Sequence, residues 1–256
     1  MTSLIARPVP RVAIGLIAPV LLLGWWQWQA GHHATTFAPP STIGPALVGM
    51  LRDGTLPGDI IATLTRAFIG LAIGAPLGIA TGMAMGVWRP LDRLLGPLLN
   101  AFRQVPMIGW LPLMGLWFGV GEETQRIVIG LSAFFPAMLN SHAGVAQVER
   151  RYLEVGRVYG FTTLQRFRLI LLPAAMPLIL TGLTQSIAFA WIATIGTEIL
   201  NGAGAGLGVE MQLAQTQQRL DMLLVVIAVT AALGFVINQI VQRLRRVLLR
   251  WQPSAL

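Results

Sequence analysis

Six long apolar segments, separated by shorter polar stretches, account for most of the chain. Each is close to or longer than the roughly twenty residues that a helix needs to cross about 30 Å of hydrocarbon. The pattern therefore predicts an all-α polytopic membrane protein with six transmembrane helices. These helices are expected near residues 12–29, 60–87, 94–118, 126–146, 174–198 and 221–242.

The composition favours the same class of protein. Only 11% of the residues are charged, against roughly 25% in an average soluble domain. A formal net charge of +8 would suggest nucleic acid as a partner of a soluble protein. Here the arginines cluster at the ends of apolar segments, so we expect a partner in membrane lipid and none in nucleic acid.

The distribution of arginine predicts the orientation in the membrane. Thirteen of the eighteen arginines fall before the first segment, between the second and third, between the fourth and fifth, or after the sixth, and Arg103, a short way into the third segment, is counted with them as a fourteenth. By the positive-inside rule these stretches are cytoplasmic. We therefore expect a multi-pass protein of the bacterial inner (plasma) membrane with both termini in the cytoplasm.

The first segment has two interpretations. A basic flank followed by an apolar run is typical of a signal peptide. No clear cleavage site follows, however, and three tryptophans close the run in a way that suits a membrane interface. We favour an uncleaved first transmembrane helix.

A polar, Pro- and Gly-rich stretch over residues 31–57 is expected to form a solvated external loop. Its adjacent His32 and His33 lack a third ligand nearby, so no metal site is predicted. The chain then divides into residues 1–58, with the first transmembrane helix and this loop, and a core of five transmembrane helices over residues 59–256.

Two residue types are missing from the chain, and their absence excludes several kinds of chemistry. Without cysteine there is no thiolate nucleophile and no cysteine metal site. Without lysine there is no ordinary phosphate-binding loop for ATP. Zinc-protease and nucleophile-elbow motifs are missing too. We therefore expect neither enzymatic activity nor a cofactor in this chain.

The second segment carries a stripe of glycines at four-residue spacing. Such stripes let helix backbones approach closely where lipid provides no hydrophobic drive. We favour tight packing inside one subunit, with contact to a second copy as the alternative. The stripe consists of Gly70, Gly74, Gly78, Gly82 and Gly86.

The polar segment after residue 146 predicts two short helices joined by a tight turn. Gly160 stands where a helix end needs positive φ, and Thr162 with Gln165 forms a capping-box pattern for the second helix. Pro173 is expected to close that second helix, before the fifth transmembrane helix. An apolar face on the first short helix is formed by Val148, Tyr152, Val155 and Tyr159.

Spacing alone leaves two interpretations of this segment open: an amphipathic helix lying on lipid, or a lever that docks on another protein. The pattern E-x-x-x-x-x-G-x9-I-x-L-P favours the lever, because it resembles the coupling motif of permease subunits of ABC importers. The resemblance implies the type I ABC importer permease fold. It makes residues 147–173 the coupling loop, which contains a cytoplasmic coupling helix.

In that family the coupling loop docks on a cytoplasmic ATPase, which binds the ATP and Mg²⁺. One departure from the family pattern is that the two positions after the motif glutamate, usually small, are Val155 and Gly156 here. By resemblance, the residues that couple to the ATPase are Glu154, Arg157, Tyr159, Gly160, Phe161, Thr162, Ile170, Leu172 and Pro173.

A second stretch, over residues 103–123, looks like the corresponding part of permeases for nitrate, taurine and alkanesulfonates. Features near the C-terminus resemble the aliphatic sulfonate permeases in particular. The resemblance implies an importer for a small organic or inorganic anion, most closely an aliphatic sulfonate or taurine. It also implies three kinds of partner: a second copy of the chain, two cytoplasmic ATP-binding subunits and an external solute-binding protein.

Four residues are candidates for the translocation pathway: Arg103, Pro106, Trp191 and Glu198. Charge inside an apolar segment is costly and usually faces a cavity or a partner. Arg103 would suit an anionic substrate, although pairing with a helix end is equally compatible. Glu198 would repel an anion, which favours a structural or gating role.

Other functions remain open at this stage. The importer substrate could instead be nitrate, bicarbonate, or a pyrimidine or vitamin precursor, and another branch of ABC importers would fit the same motif. A secondary transporter driven by an ion gradient is the alternative from a different class. Such transporters usually have internal repeats and intramembrane carboxylates, and neither stands out here.

Overall fold

The computed structural model describes residues 21–22, 24–30, 38–202 and 204–249, and this part of the chain is helical, without β-strands. Short stretches at 21–22 and 24–30 are helical and precede nine numbered helices. These are α1 (Pro40–Arg52), α2 (Thr55–Val87), α3 (Arg89–Phe102), α4 (Leu111–Phe118), α5 (Glu122–Ala146), α6 (Arg150–Val158), α7 (Thr163–Asn201), α8 (Leu207–Thr216) and α9 (Leu220–Leu248).

Within the described residues, four helices are long and apolar enough to cross a bilayer: α2, α5, α7 and α9. They confirm the second, fourth, fifth and sixth predicted transmembrane helices. The first, predicted near residues 12–29, lies largely outside the described residues, as do His32 and His33. Below, the lower end of the bundle is the end with residues 147–162, and the upper end is the opposite one.

The glycine stripe of α2 packs directly on the backbone of α5. A Cβ atom on Gly70 would come within 2.5 Å of Ile129, and one on Gly86 within 2.6 Å of Val145. Both residue numbers increase together along the contact, so α2 and α5 run parallel. The central glycines of the stripe face the carbonyl oxygens of Gly130, Phe134 and Met138.

On its other side α5 packs against α7, and this pair is antiparallel. Ser186 donates a hydrogen bond to the backbone oxygen of Ala133 over 2.6 Å, and Gly182 lies against Asn140. Alanines supply most of the buried core between the three helices. Small residues allow the close approach here that stabilises helix pairs in lipid.

The third predicted transmembrane helix, over 94–118, is wrong as a single helix. α3 ends at Phe102, and the chain turns over residues 103–106 before a 3₁₀ turn (Met107–Trp110) leads into α4. Pro106 explains the break, because proline lacks an N–H and restricts the residue before it to extended conformations. Rings of Phe102 and Trp110 stack across the break at 5.3 Å.

The predicted helix end at Pro173 is also wrong. α7 continues through this residue to Asn201, and its first turns contain a stretch of π-helix over Phe167–Leu171. In the π-helical stretch the Leu172 N–H donates to the oxygen of Phe167, five residues back. The wider turn just before Pro173 accommodates the missing proline N–H, so the helix continues without a break.

The stretch predicted as a solvated loop over residues 31–57 contains a helix instead. The apolar side of α1 packs on α9, with Met50 buried against Val225 and Val226. α1 begins with proline at its first turn, a position where the missing N–H costs nothing. The composition of this stretch therefore concealed a structural element of the core.

We expect Gly74→Ala to lower the free energy of unfolding by roughly 1–3 kcal/mol, the usual cost of overpacking. The added methyl group would overlap the backbone of Gly130, which cannot move without shifting α5. Unfolding of the detergent-solubilised protein by a denaturing detergent measures the change. Gly58→Ala is the matched control on the same helix, because no atom lies within 4 Å of its added methyl group. Equal stability of both variants would contradict the packing described here.

Candidate functional site

The lower end of the bundle carries a rigid elbow, formed by α6, a turn and the start of α7. α6 ends in a hydrogen-bonded glycine turn: Gly160 donates to Arg157 and Phe161 donates to Gly156, each over 2.9 Å. Gly160 has a φ of +70°, as its position in the sequence predicted. This is the Schellman arrangement, which satisfies carbonyl groups at a helix end.

The second half of the elbow begins with the predicted capping box. The Gln165 N–H donates to the Thr162 hydroxyl over 3.3 Å, and the Thr162 N–H donates to the Gln165 side chain over 2.8 Å. These reciprocal bonds satisfy two N–H groups at the start of α7. The turn between the two helices is thus held by backbone and side-chain hydrogen bonds at both of its ends.

Gly156 and Leu153 attach α6 to the bundle. A Cβ atom on Gly156 would stand 2.7 Å from Ile170 and 3.2 Å from Arg166, so α6 lies directly on α7 and a larger residue there would displace these side chains. Leu153 packs into a cluster that includes Val145, at the end of α5, and Leu172. α6 therefore contacts both α5 and α7.

The motif residues divide into a packed group and an exposed group. Ile170 and Leu172 pack within the elbow, whereas Pro173 borders a groove between α6 and α7. The side chains of Glu154 and Arg157 are exposed and have no hydrogen-bond or ion-pair partner among the described residues. The tip consists of exposed Tyr159, Gly160 and Thr162 with the half-buried Phe161.

The predicted apolar face of α6 does not form one contact surface. Val148 packs inward, whereas Tyr152, Val155 and Tyr159 line the open groove of about 570 Å³. Three-quarters of the Tyr159 side chain is exposed. The face that packs on the bundle is instead that of Leu153 and Gly156. Helical periodicity alone did not distinguish this packed face from the face that lines the groove.

At the upper end, Glu198 forms a fully buried ion pair with Arg66. Its carboxylate also accepts hydrogen bonds from the Thr63 hydroxyl at 3.0 Å and from the Gly208 N–H at 2.9 Å. Bonds to charged groups are the strong ones in a protein interior. Glu198 thereby ties the end of α7 to α2 and to the start of α8.

The same face of α2 holds the segment that leads into α8. Asp59 accepts from the Gly206 N–H and Thr63 from the Leu207 N–H, both over 2.8 Å, and Arg66 donates to the oxygen of Ala205 over 3.2 Å. The predicted sites include none of the three α2 side chains. The sequence signal that could have identified them is their spacing of four and three residues, which places three polar side chains on one face of an apolar helix.

Glycine is required at this junction as well. A Cβ atom on Gly206 would stand 2.7 Å from the carboxyl carbon of Glu198, and one on Gly208 would stand 2.6 Å from its Cβ. Nearby, burial raises the pKa of the Glu210 carboxyl, and repulsion from Asp59 and Asp53 raises it further. The upper end is therefore a close-packed polar junction around Glu198.

The four predicted pathway residues do not come together. Arg103 and Pro106 line a cavity of about 430 Å³ at the break between α3 and α4. Trp191 faces α9, where its ring lies against Gly234. Glu198 is buried at the upper end, which agrees with a structural role and separates it from the cavity.

We expect Arg66→Met to lower the free energy of unfolding by roughly 3–5 kcal/mol, because it leaves a buried carboxylate without its cation. Adding Glu198→Gln should recover part of the loss, since the amide is neutral and still accepts from Gly208. Denaturing-detergent titrations of the single and double variants measure this. Arg126→Met is the control, because this partly exposed arginine pairs at the surface and should change stability by less than about 1 kcal/mol. A double variant no more stable than Arg66→Met would contradict the assignment.

Residues 74–251 match the profile of the family described as "binding-protein-dependent transport system inner membrane component". The chain is 32% identical to the putative aliphatic sulfonates transport permease protein SsuC of Bacillus subtilis, over 94% of this chain and 88% of that protein. It is 31% identical to the taurine transport system permease protein TauC of Escherichia coli, over 94% and 89%.

A solved structure has the same fold. The chain superposes on the crystal structure of an amino acid ABC transporter with a TM-score of 0.62, covering 80% of this chain and 98% of that one. At 19% identity the similarity concerns the fold alone. The fold described above is thus that of a type I ABC importer permease.

Proposed function

Since the chain belongs to the family of inner-membrane components of binding-protein-dependent transport systems, we propose that its elbow at residues 147–173 couples transport to a separate ATPase. The observation that carries the proposal is the rigid, exposed tip at Tyr159–Thr162, fastened to two membrane helices. A tip held by hydrogen bonds can transmit force without deforming. A helix that only lies on lipid has no need of such a rigid tip.

In this proposal the ATPase contacts the exposed group of motif residues. Glu154 and Arg157, unpaired among the described residues, offer one charge of each sign to the partner. Tyr159 and Phe161 supply aromatic surface, with ring centroids 6.3 Å apart. Tyrosine and arginine are the residue types that dominate binding energy in protein interfaces.

α7 carries the motion across the membrane. It is one helix of 39 residues, about 58 Å long at 1.5 Å per residue. Its lower end is part of the elbow, and its upper end carries Glu198, which holds α2 and α8. Closure of the ATPase pair would thus move the upper junction as well as the lower end, the rigid-body kind of motion that alternating access needs.

The remaining parts of the system follow from the same assignment. Two copies of this chain pair with two ATP-binding subunits, which hold the ATP and Mg²⁺, and an external binding protein delivers the substrate. Both termini and the elbow lie in the cytoplasm, as the arginine distribution predicts. Residues 59–256 form the permease core, and residues 1–58 add a first transmembrane helix and an external segment.

For the substrate we propose a small organic anion, an aliphatic sulfonate or taurine. The names of SsuC and TauC, which align over nearly the whole chain, support this class of substrate. Absence of cysteine and lysine from the sequence supports a permease that leaves catalysis to its partner.

We expect Gly160→Pro to insert in the membrane but to lose ATP-driven uptake. Proline requires a φ near −65°, against +70° here, and it removes the N–H that donates to Arg157. The measurement is substrate uptake and substrate-stimulated ATP hydrolysis by the complete reconstituted transporter.

Gly160→Asn is the matched control, because asparagine tolerates the left-handed conformation and keeps the N–H. It should retain most of the uptake. ATP-driven uptake by Gly160→Pro at the level of the unaltered protein would count against the coupling assignment, and so would uptake by the purified chain without any ATPase.

A further inference from the structure

The break between α3 and α4 opens a cavity halfway along the bundle. The cavity of about 430 Å³ is bordered by the break itself, by the middle of α5 and by the middle of α7. This volume lies in the range of roughly 300–1,000 Å³ typical of small-molecule sites. Neither the elbow nor the Arg66–Glu198 junction contributes to it.

One cation borders the cavity. Arg103 donates through Nε to the Asn100 side chain over 2.9 Å, which holds the guanidinium at the end of α3. Its two Nη groups have no hydrogen-bond partner among the described residues. Arg103 is exposed and its side chain borders the cavity, so an anion in the cavity can reach the guanidinium.

A second donor is oriented by its neighbour. The Asn140 amide donates to the Pro136 oxygen over 2.9 Å and to the Gln185 side-chain oxygen over 2.8 Å. Since the oxygen of Gln185 is engaged, its NH₂ group remains available at the cavity wall. Arg103 and Gln185 together offer N–H donors that suit an anionic group.

Apart from Ser132, whose hydroxyl donates to the oxygen of Val128, the rest of the wall is apolar, and it contains no carboxylate. None of the ten acidic residues of the chain borders the cavity. Phe135, Leu139, Phe189 and Ile192 contribute large apolar side chains. Such a wall suits an alkyl tail and offers no carboxylate to pair with an ammonium group.

We propose that this cavity is a binding site for a small anion with an apolar tail, such as a short alkanesulfonate. The proposal rests on the proposed function and narrows its substrate class. The sulfonate oxygens accept from Arg103 and Gln185, and the tail lies against Phe135 and Phe189. Taurine binds more weakly, because its ammonium group would be desolvated without a counter-charge. Sulfate binds more weakly because it leaves the apolar wall in contact with water.

The test is direct binding to the full-length chain in lipid nanodiscs, without ATPase or binding protein. Equilibrium dialysis with butanesulfonate, taurine and sulfate gives three dissociation constants, and empty nanodiscs correct for partition into lipid. Butanesulfonate should bind about tenfold or more tightly than either of the other two. Equal affinity for butanesulfonate and taurine would overturn the proposal.

Variants locate the site. Arg103→Gln should weaken butanesulfonate binding about tenfold or more, and Arg103→Lys should keep part of the affinity. Arg93→Gln is the matched control, because this arginine lies exposed on the same helix outside the cavity and should leave binding unchanged. Phe189→Ala, at a side chain already 54% exposed, should weaken butanesulfonate more than sulfate. Thermal unfolding shows whether each variant is folded. If Arg103→Gln fails to fold, binding of butanesulfonate and sulfate by Phe189→Ala tests the cavity site instead.

The outcomes separate this inference from the coupling assignment. Gly160→Pro should bind butanesulfonate like the unaltered chain, because the elbow lies far from the cavity along α7. Loss of its uptake with binding intact therefore concerns coupling only. Unchanged binding by Arg103→Gln, or absent binding in a chain that supports ATP-driven uptake, overturns the cavity site and leaves the importer function standing.

Discussion

Backbone contact between α2 and α5 is the constraint on which the rest of the structure depends. Glycine at every fourth position lets α2 lie against carbonyl groups of α5, and the two helices run parallel. Because both pass through the bundle in the same direction, residues 88–121 have to return to the upper end. They do so as two short helices with a break at Pro106, and this break opens the cavity beside Arg103.

α7 joins the two ends of the bundle that carry polar chemistry. At the lower end Gly156 lets α6 lie on α7, and at the upper end Gly206 and Gly208 leave room for the carboxylate of Glu198. The π-helical turns ahead of Pro173 keep the helix continuous between these junctions. A long rigid element with a fixed contact at each end is the arrangement that moves as a unit, and the cavity lies between its two fixed ends.

Local sequence was most informative where the controlling interactions are local. The positive φ of Gly160 and the capping box of Thr162 and Gln165 depend on residues at most five positions apart, and both were predicted. Errors arose where distant contacts decide. Residues 40–52 were predicted to be part of a solvated loop, whereas in the structure they form a helix that packs on the apolar surface of α9. Pro173 was predicted to end a helix. The π-helical turns that accommodate its missing N–H have no sequence signal of their own.

The sequence by itself determined the class of protein, four long membrane helices and the position of the coupling motif, since hydropathy, arginine distribution and motif spacing are properties of the linear chain. Tertiary structure alone decided which side chains meet. It paired Glu198 with Arg66 across 132 positions, turned Trp191 toward α9, and placed Arg103 and Gln185 in the lining of one cavity. The reason is physical: a buried charge takes its partner from whichever helix packs beside it, and helix packing depends on the shapes of both surfaces.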